Sequence, residues 1–179
     1  MYQLHKTKID GCLELTPNIF NDHRGISIKP FHSDFFQTLG VEHNFNEDLM
    51  VISHKGVLRG MHLQNPPLQQ AKLIYCASGS IFDVAVDVRK NSPTYGQHVA
   101  FYVDAVKHNI VYIPSGLAHG YLVLEDCTTV IYKMSSVYSP GLESGFRWDS
   151  AAIPWPVQNP ILSDKDKSLP GFNDFVSIF

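Results

Sequence analysis

The sequence lacks an excess of positive charge and is poor in cysteine. Its 179 residues carry a formal net charge of −3 at pH 7, whereas broad nucleic-acid binding needs a marked basic excess, so we expect no nucleic-acid partner. The three cysteines, Cys12, Cys76 and Cys127, have no CxxC or metal-ligand spacing. We therefore expect no disulfide framework and a reducing compartment. Cys76 and Cys127 lie in apolar runs, which predicts that both thiols are buried.

Long apolar segments are also missing. No apolar run approaches the roughly 18 residues that a bilayer-spanning helix needs, and residues 1–8 contain no apolar core typical of a signal peptide. We expect a soluble cytoplasmic protein without membrane contact. With 44% hydrophobic residues, the chain can still bury a sizeable core, and its length suits one domain over 1–179.

Short apolar runs separated by Gly, Pro and Asn predict many short strands. The candidates are 11–19, 26–30, 49–53, 72–77, 80–88, 97–103, 110–113, 121–124 and 128–135, with a turn at 21–25. One helix is expected at 34–39, with Ser33 as its N-cap and Gly40 as its stop signal. So many strands favour an all-β sandwich or barrel. The Pro-rich tail from Asp149 onward is expected to wrap over this body, and a dimer would protect exposed strand edges.

Several kinds of reactive site are excluded by the residue patterns. His62 and His119 occur one per motif, without a convergent carboxylate, which is too few ligands for a catalytic metal. No Ser or Cys has the context of a nucleophile elbow, and no glycine-rich phosphate loop is present. We therefore expect neither a metal nor a cofactor.

Proton transfer is the chemistry that remains. A histidine such as His62 suits a general base, and the amine of Lys72 can stabilise a developing oxyanion. A phenol such as Tyr132 can be the acid, a carboxylate such as Asp166 can orient the histidine ring, and Arg59 suits a phosphate. These residue types indicate removal of a proton next to a carbonyl, in a phosphorylated or nucleotide-linked substrate.

Each of these residues also has a purely structural interpretation. A lone strand histidine is commonly a surface or core residue, Lys72 can be a solvated strand end, and Tyr132 can pack in the core. Strict alternation also places Arg59 and His62 on opposite faces of a strand. Both side chains can face one site only if Gly60 permits a bulge or bend.

Many short sequence blocks follow one another in a set order along almost the whole chain. They are DHRG (22–25), GVLRGMHLQ (56–64), QAK (70–72), GSIFDVAVDVR (79–89), SPTYG (92–96), PSGLAHG (114–120), YSP (138–140), WP (155–156) and SDKD (163–166), with Tyr132 and Glu143. In these blocks the chain resembles the dTDP-4-dehydrorhamnose 3,5-epimerases of the cupin superfamily. The resemblance implies a metal-free cupin jelly roll that works as a homodimer, with strands or active-site residues contributed across the interface.

The resemblance also implies a role for individual residues. A dyad of His62 and Asp166 would remove the proton at C3, and then at C5, of a nucleotide-linked 4-keto-6-deoxy sugar. Lys72 would stabilise the enolate oxygen, and Tyr132 would deliver a proton from the opposite face. The implied substrate-binding residues are Arg24 and Arg59 at the diphosphate, Tyr138 at the nucleotide, His119 near the catalytic histidine, Glu143 and Gln64.

Two substrate-binding positions depart from the family pattern. Lys29 stands where the family usually has Glu, and Glu47 stands where it has Gln, so donors and acceptors are exchanged. Ser27 and Leu49 replace an aromatic residue and an Asn of the family. Because these family positions lie near the nucleotide base and the sugar, we hypothesise that a CDP-, GDP- or UDP-sugar replaces the dTDP-sugar, or that only C3 or only C5 is inverted.

Two further alternatives remain at this point. A non-catalytic nucleotide-sugar-binding cupin would have no use for a base and an acid on opposite sides of a ligand. A 3,4-ketoisomerase is another cupin that acts on similar substrates, but members of that family are shorter and lack the Ser-Asp-x-Asp block that this chain has at 163–166. The sequence therefore favours the epimerase.

Overall fold

The computed structural model describes residues 2–42 and 44–179, and their regular secondary structure is mainly β-strand. In chain order the strands are β1 (Tyr2–Lys6), β2 (Leu13–Pro17), β3 (Ile19–Asp22), β4 (Gly25–Ile28), β5 (Glu47–Ser53), β6 (Leu58–Gln64), β7 (Lys72–Ser78), β8 (Ser80–Asp87), β9 (His98–Asp104), β10 (Ile110–Ile113), β11 (Leu117–Val123), β12 (Thr128–Met134) and β13 (Glu143–Gly145). The helices are α1 (Ser33–Thr38) and α2 (Asp164–Ser168), and a 3-10 turn covers Pro140–Leu142.

Two antiparallel sheets pack face to face. The six-stranded sheet has the order β1-β2-β10-β7-β12-β5, the five-stranded sheet has the order β13-β6-β11-β8-β9, and β3 and β4 form a separate hairpin. Side chains from both sheets meet in one core, with Ile74 and Val130 from the first and Ala85 and Val123 from the second. The all-β jelly-roll sandwich expected from the sequence is confirmed.

The C-terminal tail covers the outer face of the five-stranded sheet. Strand β8 is buried on both faces, because Ala85 points between the sheets while Val84 lies under the tail. Trp155, Phe172 and Phe175 of the tail pack in this second core. A parallel bridge between Val57 and Ile161 further ties the tail to the start of β6. The predicted wrapping of the tail is confirmed, and it brings α2 to the rim of β6.

The strand predictions hold best where turn residues are close by. The predicted strand at 110–113 coincides with β10. The predicted strand at 121–124 is too short, since β11 begins at Leu117, directly after a turn in which Gly116 has φ +84°. The run at 11–19 is in fact two strands, because β2 ends at Pro17 and β3 begins at Ile19.

Two local predictions are wrong. His32, not Ser33, is the N-cap of α1, and it forms no side-chain cap hydrogen bond. Ser33 is already the first residue of the helix, and its hydroxyl donates to Asp34 Oδ1, whereas a capping side chain stands on the residue before the first helical one. Cys127 is exposed whereas Cys76 is buried, because Cys127 lies in the tight β11–β12 turn with φ +56°. In the described ranges, neither helix is long and apolar enough to cross a bilayer.

Candidate active site

A cavity of about 300 Å³ opens between the two sheets and is called the central cavity here. Nine of the residues singled out from the sequence line it, namely His62, Lys72, Tyr132, Asp166, Arg59, Gln64, His119, Tyr138 and Glu143. Leu49, Val51, Leu63 and Met134 add apolar wall, and Gln70, Ser163 and Lys165 add polar groups. The fold thus gathers residues from β6, β7, β11, β12, β13 and α2.

A break in the register of β6 turns Arg59 and His62 toward the same side. On β11, His119 pairs with His62 and Tyr121 pairs with Arg59, so two residues of β6 face one residue of β11. This is a β-bulge, which reverses the alternation of side chains beyond it. Gly60 occupies the bulge with φ +127°. The bulge predicted at Gly60 is confirmed, and both side chains line the central cavity.

His62 and Asp166 form a close, partly buried pair. The His62 Nε2 atom lies 2.6 Å from Asp166 Oδ1, with side-chain exposures of 26% and 5%. Burial alone would raise the pKa of Asp166, but the hydrogen bond and charge of His62 lower the pKa below its ordinary value. Since an ionised carboxylate only accepts hydrogen bonds, Nε2 is assigned as the donor, which leaves the lone pair on Nδ1.

The first turn of α2 holds Asp166 in place. Ser163 is the N-cap of this helix, and its hydroxyl accepts a hydrogen bond of 3.1 Å from the Asp166 backbone N–H. A serine at this position satisfies a backbone donor that would otherwise be free. The tail therefore delivers a carboxylate to His62 on β6, 104 residues away in sequence.

Lys72 is the buried cation of the site. It begins β7, 7% exposed, and its Nζ donates to the backbone oxygen of His62 at 3.3 Å across the gap between the sheets. Burial lowers the pKa of Lys72 to about 8. A buried amine with a pKa near neutrality can supply localised positive charge to an oxyanion.

Tyr132 stands on the sheet opposite His62. It lies on β12 of the six-stranded sheet, whereas His62 lies on β6 of the five-stranded sheet, and both line the central cavity. Burial raises the pKa of Tyr132 well above its ordinary value. The phenol is therefore protonated at neutral pH and can act as a proton donor rather than as a base.

His119 forms a second histidine–carboxylate pair deeper in the fold. Its Nε2 atom lies 2.7 Å from Asp83 Oδ2, and the side chains are 3% and 0% exposed. Burial lowers the pKa of His119, although Asp83 opposes this effect. Asp83 was not singled out from the sequence. The available signal was a carboxylate on an inward-facing position of the otherwise apolar strand β8.

Three side chains meet at the mouth of the central cavity, Tyr138, Glu143 and Lys165. The Tyr138 hydroxyl donates to Glu143 Oε2 at 2.5 Å, and Lys165 forms an ion pair with the same carboxylate. Burial alone would raise the pKa of Glu143, but the hydrogen bonds from Lys165 and Tyr138 lower it. Lys165 was missed in the sequence, although it lies within the SDKD block beside Asp166.

Gln64 lines the central cavity but uses its amide internally. Its amide nitrogen donates to the backbone oxygen of Val137 at 3.0 Å and to that of Leu68, while its oxygen accepts from Ser139 N–H at 2.8 Å. Gln64 thereby fixes the loop that carries Tyr138. The geometry favours a supporting role for Gln64.

Three of the residues predicted to bind substrate lie outside the central cavity. Arg24 is at the exposed tip of the β3–β4 hairpin and pairs with Asp22 at 2.6 Å. Lys29 follows that hairpin and is exposed. Glu47 accepts a hydrogen bond of 2.7 Å from the backbone N–H of Tyr138, so it supports the loop of Tyr138 from the edge strand.

The arrangement offers a base and an acid on facing sheets, with a cation between them. His62 can accept a proton at Nδ1, Lys72 can hold negative charge on a nearby oxygen, and Tyr132 can donate from the other side. Within residues 2–42 and 44–179, no group of three or more His, Cys, Asp or Glu side chains is placed to hold a metal ion.

Known proteins match this chain over nearly its whole length. Residues 6–174 match the family model described as dTDP-4-dehydrorhamnose 3,5-epimerase. The Shigella flexneri dTDP-4-dehydrorhamnose 3,5-epimerase is 44% identical over 164 residues, covering 90% of this chain and 91% of that protein.

Solved structures agree with the sequence match. The Bacillus anthracis dTDP-4-dehydrorhamnose 3,5-epimerase, with TDP and PPi bound, superposes with a TM-score of 0.92 at 40% identity, covering 96% of this chain and 99% of that one. The Legionella pneumophila dTDP-6-deoxy-D-glucose-3,5-epimerase, in complex with dTDP-4-keto-L-rhamnose, gives 0.93 at 34% identity, covering 98% and 95%. The chain therefore belongs to the dTDP-4-dehydrorhamnose 3,5-epimerase family.

Proposed function

We propose that this epimerase inverts C3, C5 or both carbons of a nucleotide-linked 4-keto-6-deoxy sugar. The observation that carries the proposal is the meeting of the His62–Asp166 pair, Lys72 and Tyr132 in the central cavity. The base and the acid stand on facing sheets, as an inversion through a planar intermediate requires. Two conformationally fixed proton-transfer groups would have no use in a protein that only binds the sugar nucleotide.

Proton removal is the first step. The C4 ketone acidifies the C–H bonds on both neighbouring carbons, and His62 takes the proton on Nδ1 while the C–H electrons form an enolate. Asp166 keeps the ring in the required tautomer and stabilises the imidazolium that forms. The positive charge of Lys72 stabilises the enolate oxygen.

Proton return completes the inversion. The O–H bond of Tyr132 breaks as a new C–H bond forms on the other face of the sugar, which leaves a phenolate on Tyr132 and the inverted carbon in the product. The C4 ketone is restored in the same step. No electrons are gained or lost, so the reaction needs no redox cofactor, and we propose that the charge of Lys72 serves the enolate oxygen in place of a metal ion.

Substrate binding is proposed to use the polar groups around the cavity. Arg59 presents an exposed guanidinium whose contacts to Ser53 Oγ are long, at 3.2 and 3.4 Å, so it is available for a phosphate oxygen. We assign Tyr138 and Glu143, which lie at the mouth of the central cavity, to the nucleotide end. The relatives are named for dTDP-sugars, and we propose dTDP as the nucleotide.

A homodimer would complete the site. Arg24 and Lys29 lie outside their own chain's central cavity, on an exposed segment that can reach a partner. Apolar side chains are also exposed on the hairpin and on the edge strand β5, at Ile19, Phe20, Ile26, Met50 and Ile52. We call these five residues the outer apolar patch. Exposed apolar side chains on an edge strand commonly mark an interface, and we propose that a second copy covers these five residues and receives Arg24.

The cellular location is proposed from the thiols. Cys12, Cys76 and Cys127 are all free, which is the state that a reducing compartment maintains. We propose that the protein acts in the cytoplasm.

Turnover in deuterated water tests the proposed function. The dTDP-, CDP-, GDP- and UDP-linked 4-keto-6-deoxy sugars would each be incubated with the protein, and NMR would follow deuterium and configuration at C3 and C5. We expect deuterium with inversion at one or both carbons, fastest with the dTDP-sugar. Absence of exchange with all four substrates would favour a binding protein, and a clear preference for another nucleotide would contradict the assignment of dTDP.

A further inference from the structure

Tyr121 places a hydroxyl group where the fold gives it no hydrogen bond. Its side chain is 0% exposed and lies among the apolar residues between the sheets. Among the described residues, the Tyr121 hydroxyl has no hydrogen-bond partner. A buried polar atom without a partner destabilises a fold, and phenylalanine would fill the same space without this cost. A hydroxyl kept in such a place calls for an explanation from function.

The surroundings of Tyr121 are the groups directly beneath the central cavity. Its ring centroid is 6.1 Å from that of Tyr132 and 6.0 Å from that of His119, and the His119 and Tyr132 rings are 5.8 Å apart. Strand register places Tyr121 opposite Asp83 on β8 and opposite Arg59 on β6. Asp83 Oδ1 is a second buried atom without a partner among the residues described. Two unpaired polar atoms therefore lie behind the proposed acid.

The two phenols are close without being bonded in the resting structure. Burial raises the pKa of both, and their contact additionally lowers that of Tyr121 and raises that of Tyr132. In the neutral pair this favours Tyr132 as the proton donor, and once Tyr132 has given its proton to the sugar only the Tyr121 O–H can donate between the two oxygens. The Tyr121 and Tyr132 rings are neighbours beneath the central cavity, and the buried Tyr121 hydroxyl has no other partner among the described residues.

We propose that Tyr121 is a positioning residue for epimerisation, whose hydroxyl donates a hydrogen bond to the Tyr132 oxygen as that oxygen becomes a phenolate. The O–H bond of Tyr132 breaks, a C–H bond forms on the sugar, and the charge left on Tyr132 is stabilised by Tyr121, which keeps its own proton. The bond forms only while the phenolate exists, which explains why the resting hydroxyl has no partner. A bond made only in the transition state raises kcat rather than tightening substrate binding. This inference rests on the proposed function and deepens it.

The variant Tyr121→Phe tests the inference because it removes one oxygen atom. In deuterated water, a proton returned by His62 gives deuterated substrate of unchanged configuration, whereas return through Tyr132 gives the inverted product. We expect kcat for inversion to fall about tenfold, the size of one hydrogen bond to a charged group. KM and the rate of deuterium entry without inversion should stay within about twofold, so the ratio of inversion to exchange falls.

A second buried tyrosine provides the matched control. Tyr112 is 2% exposed, lies in a different core, and accepts a hydrogen bond from the backbone N–H of Glu42 at 3.0 Å. Tyr112→Phe should lower the midpoint of thermal unfolding and leave the ratio of inversion to exchange unchanged. Tyr121→Phe should unfold at the same or a higher temperature than the parent, because it loses only an unpaired hydroxyl.

The outcomes separate this inference from the proposed function. An active parent with an unchanged ratio in Tyr121→Phe would overturn the role of Tyr121 and leave the epimerase standing. A lower unfolding midpoint together with equal losses of exchange and inversion would show a packing role and would also overturn it. A parent without any exchange would contradict the proposed function, and this inference would fall with it.

Discussion

At the scale of the residue, Lys72 shows how a proposed catalytic group opposes stability. The amine is buried and its pKa falls from 10.5 to about 8. Between these pH values the unfolded chain carries the proton and the folded chain does not, so the free energy of unfolding rises with pH across this window. Below pH 8 the amine is protonated in both states, and the folded protein bears the full free-energy cost of burying the charge. The difference between the two pKa values corresponds to about 3 kcal/mol.

Replacing this charge should make the fold more stable. We expect Lys72→Met to raise the free energy of unfolding by about 2 kcal/mol at pH 7, after allowance for the lost hydrogen bond to the His62 oxygen. The gain should vanish by pH 11, where the lysine is neutral in both states. Urea unfolding at pH 7 and pH 11 measures the difference in free energy of unfolding between the variant and the parent. Lys167→Met, at an exposed ion pair, should change stability by less than about 0.5 kcal/mol, and a gain in Lys72→Met that is equal at both pH values would contradict the assignment.

His62 is the residue on which turnover is expected to depend most. We expect His62→Ala to lower the rate of epimerisation about 10² to 10⁴-fold, as for loss of a general base, while nucleoside diphosphate binding by calorimetry stays within a few-fold. His54→Ala changes an exposed side chain that does not line the central cavity and should leave the rate unchanged. Near-full turnover in His62→Ala would show that another group is the base.

At the scale of the element, the bulge in β6 decides whether Arg59 and His62 share a cavity. A Cβ atom at Gly60 would lie 2.5 Å from Gly120 Cα and 2.8 Å from the His119 oxygen. The glycine also has a positive φ that other residues rarely adopt. The close approach of two backbones therefore requires glycine on both strands.

Adding one methyl group at this bulge should disrupt the site. We expect Gly60→Ala to lower the free energy of unfolding by more than about 2 kcal/mol and to reduce turnover strongly, as read by urea unfolding and NMR. Gly141→Ala is the matched control, since nothing lies within 4 Å of its Cβ position. It should stay within about 0.5 kcal/mol of the parent. Equal behaviour of the two variants would contradict the role assigned to the bulge.

The N-cap of the short helix α2 can be tested in the same way as the bulge. Ser163→Ala removes the cap that holds the Asp166 N–H, and we expect a loss of about 1 kcal/mol in stability with a several-fold fall in kcat as Asp166 becomes less well placed. Ser33→Ala should be close to neutral, because Ser33 does not cap α1. A larger loss of stability from Ser33→Ala than from Ser163→Ala would reverse this interpretation of the two helices.

At the scale of the whole molecule, the outer apolar patch is apolar surface that a single chain leaves exposed to solvent. Met50 and Ile52 are 62% and 61% exposed on the edge strand β5, and Phe20 is 61% exposed on the hairpin. An edge strand with exposed apolar residues invites pairing with another chain. A second copy would bury these groups and bring Arg24 toward a neighbouring cavity.

A charge in the patch should separate the copies. We expect Met50→Lys to shift the protein from dimer to monomer in sedimentation velocity experiments and to reduce turnover, since Arg24 would no longer reach a partner's cavity. Val106→Lys changes an 86% exposed residue outside the patch and should leave the dimer intact. A parent that sediments as a monomer at all concentrations would contradict the proposed dimer.

The sequence by itself determined the fold class, the family and most of the residues around the cavity. Period-2 alternation and turn residues act locally, so the strands could be predicted within a few residues, and the ordered blocks indicated His62, Lys72, Tyr132 and Asp166. The need for a bulge or bend at Gly60 could also be predicted, because strict alternation would have put the side chains of Arg59 and His62 on opposite faces of the strand.

Only the tertiary structure decided which distant groups meet. Asp166 reaches His62 because the tail packs on the five-stranded sheet, and no local pattern encodes that contact. Asp83 and Tyr121 are functional candidates only because both strands bury them beneath the cavity without hydrogen-bond partners for Asp83 Oδ1 and the Tyr121 hydroxyl among the described residues. Strand periodicity depends on residues that are neighbours in sequence, so it can be predicted from the chain. The burial of a side chain, its pKa and its hydrogen-bond partners depend on residues far away in sequence, so these properties could not be predicted.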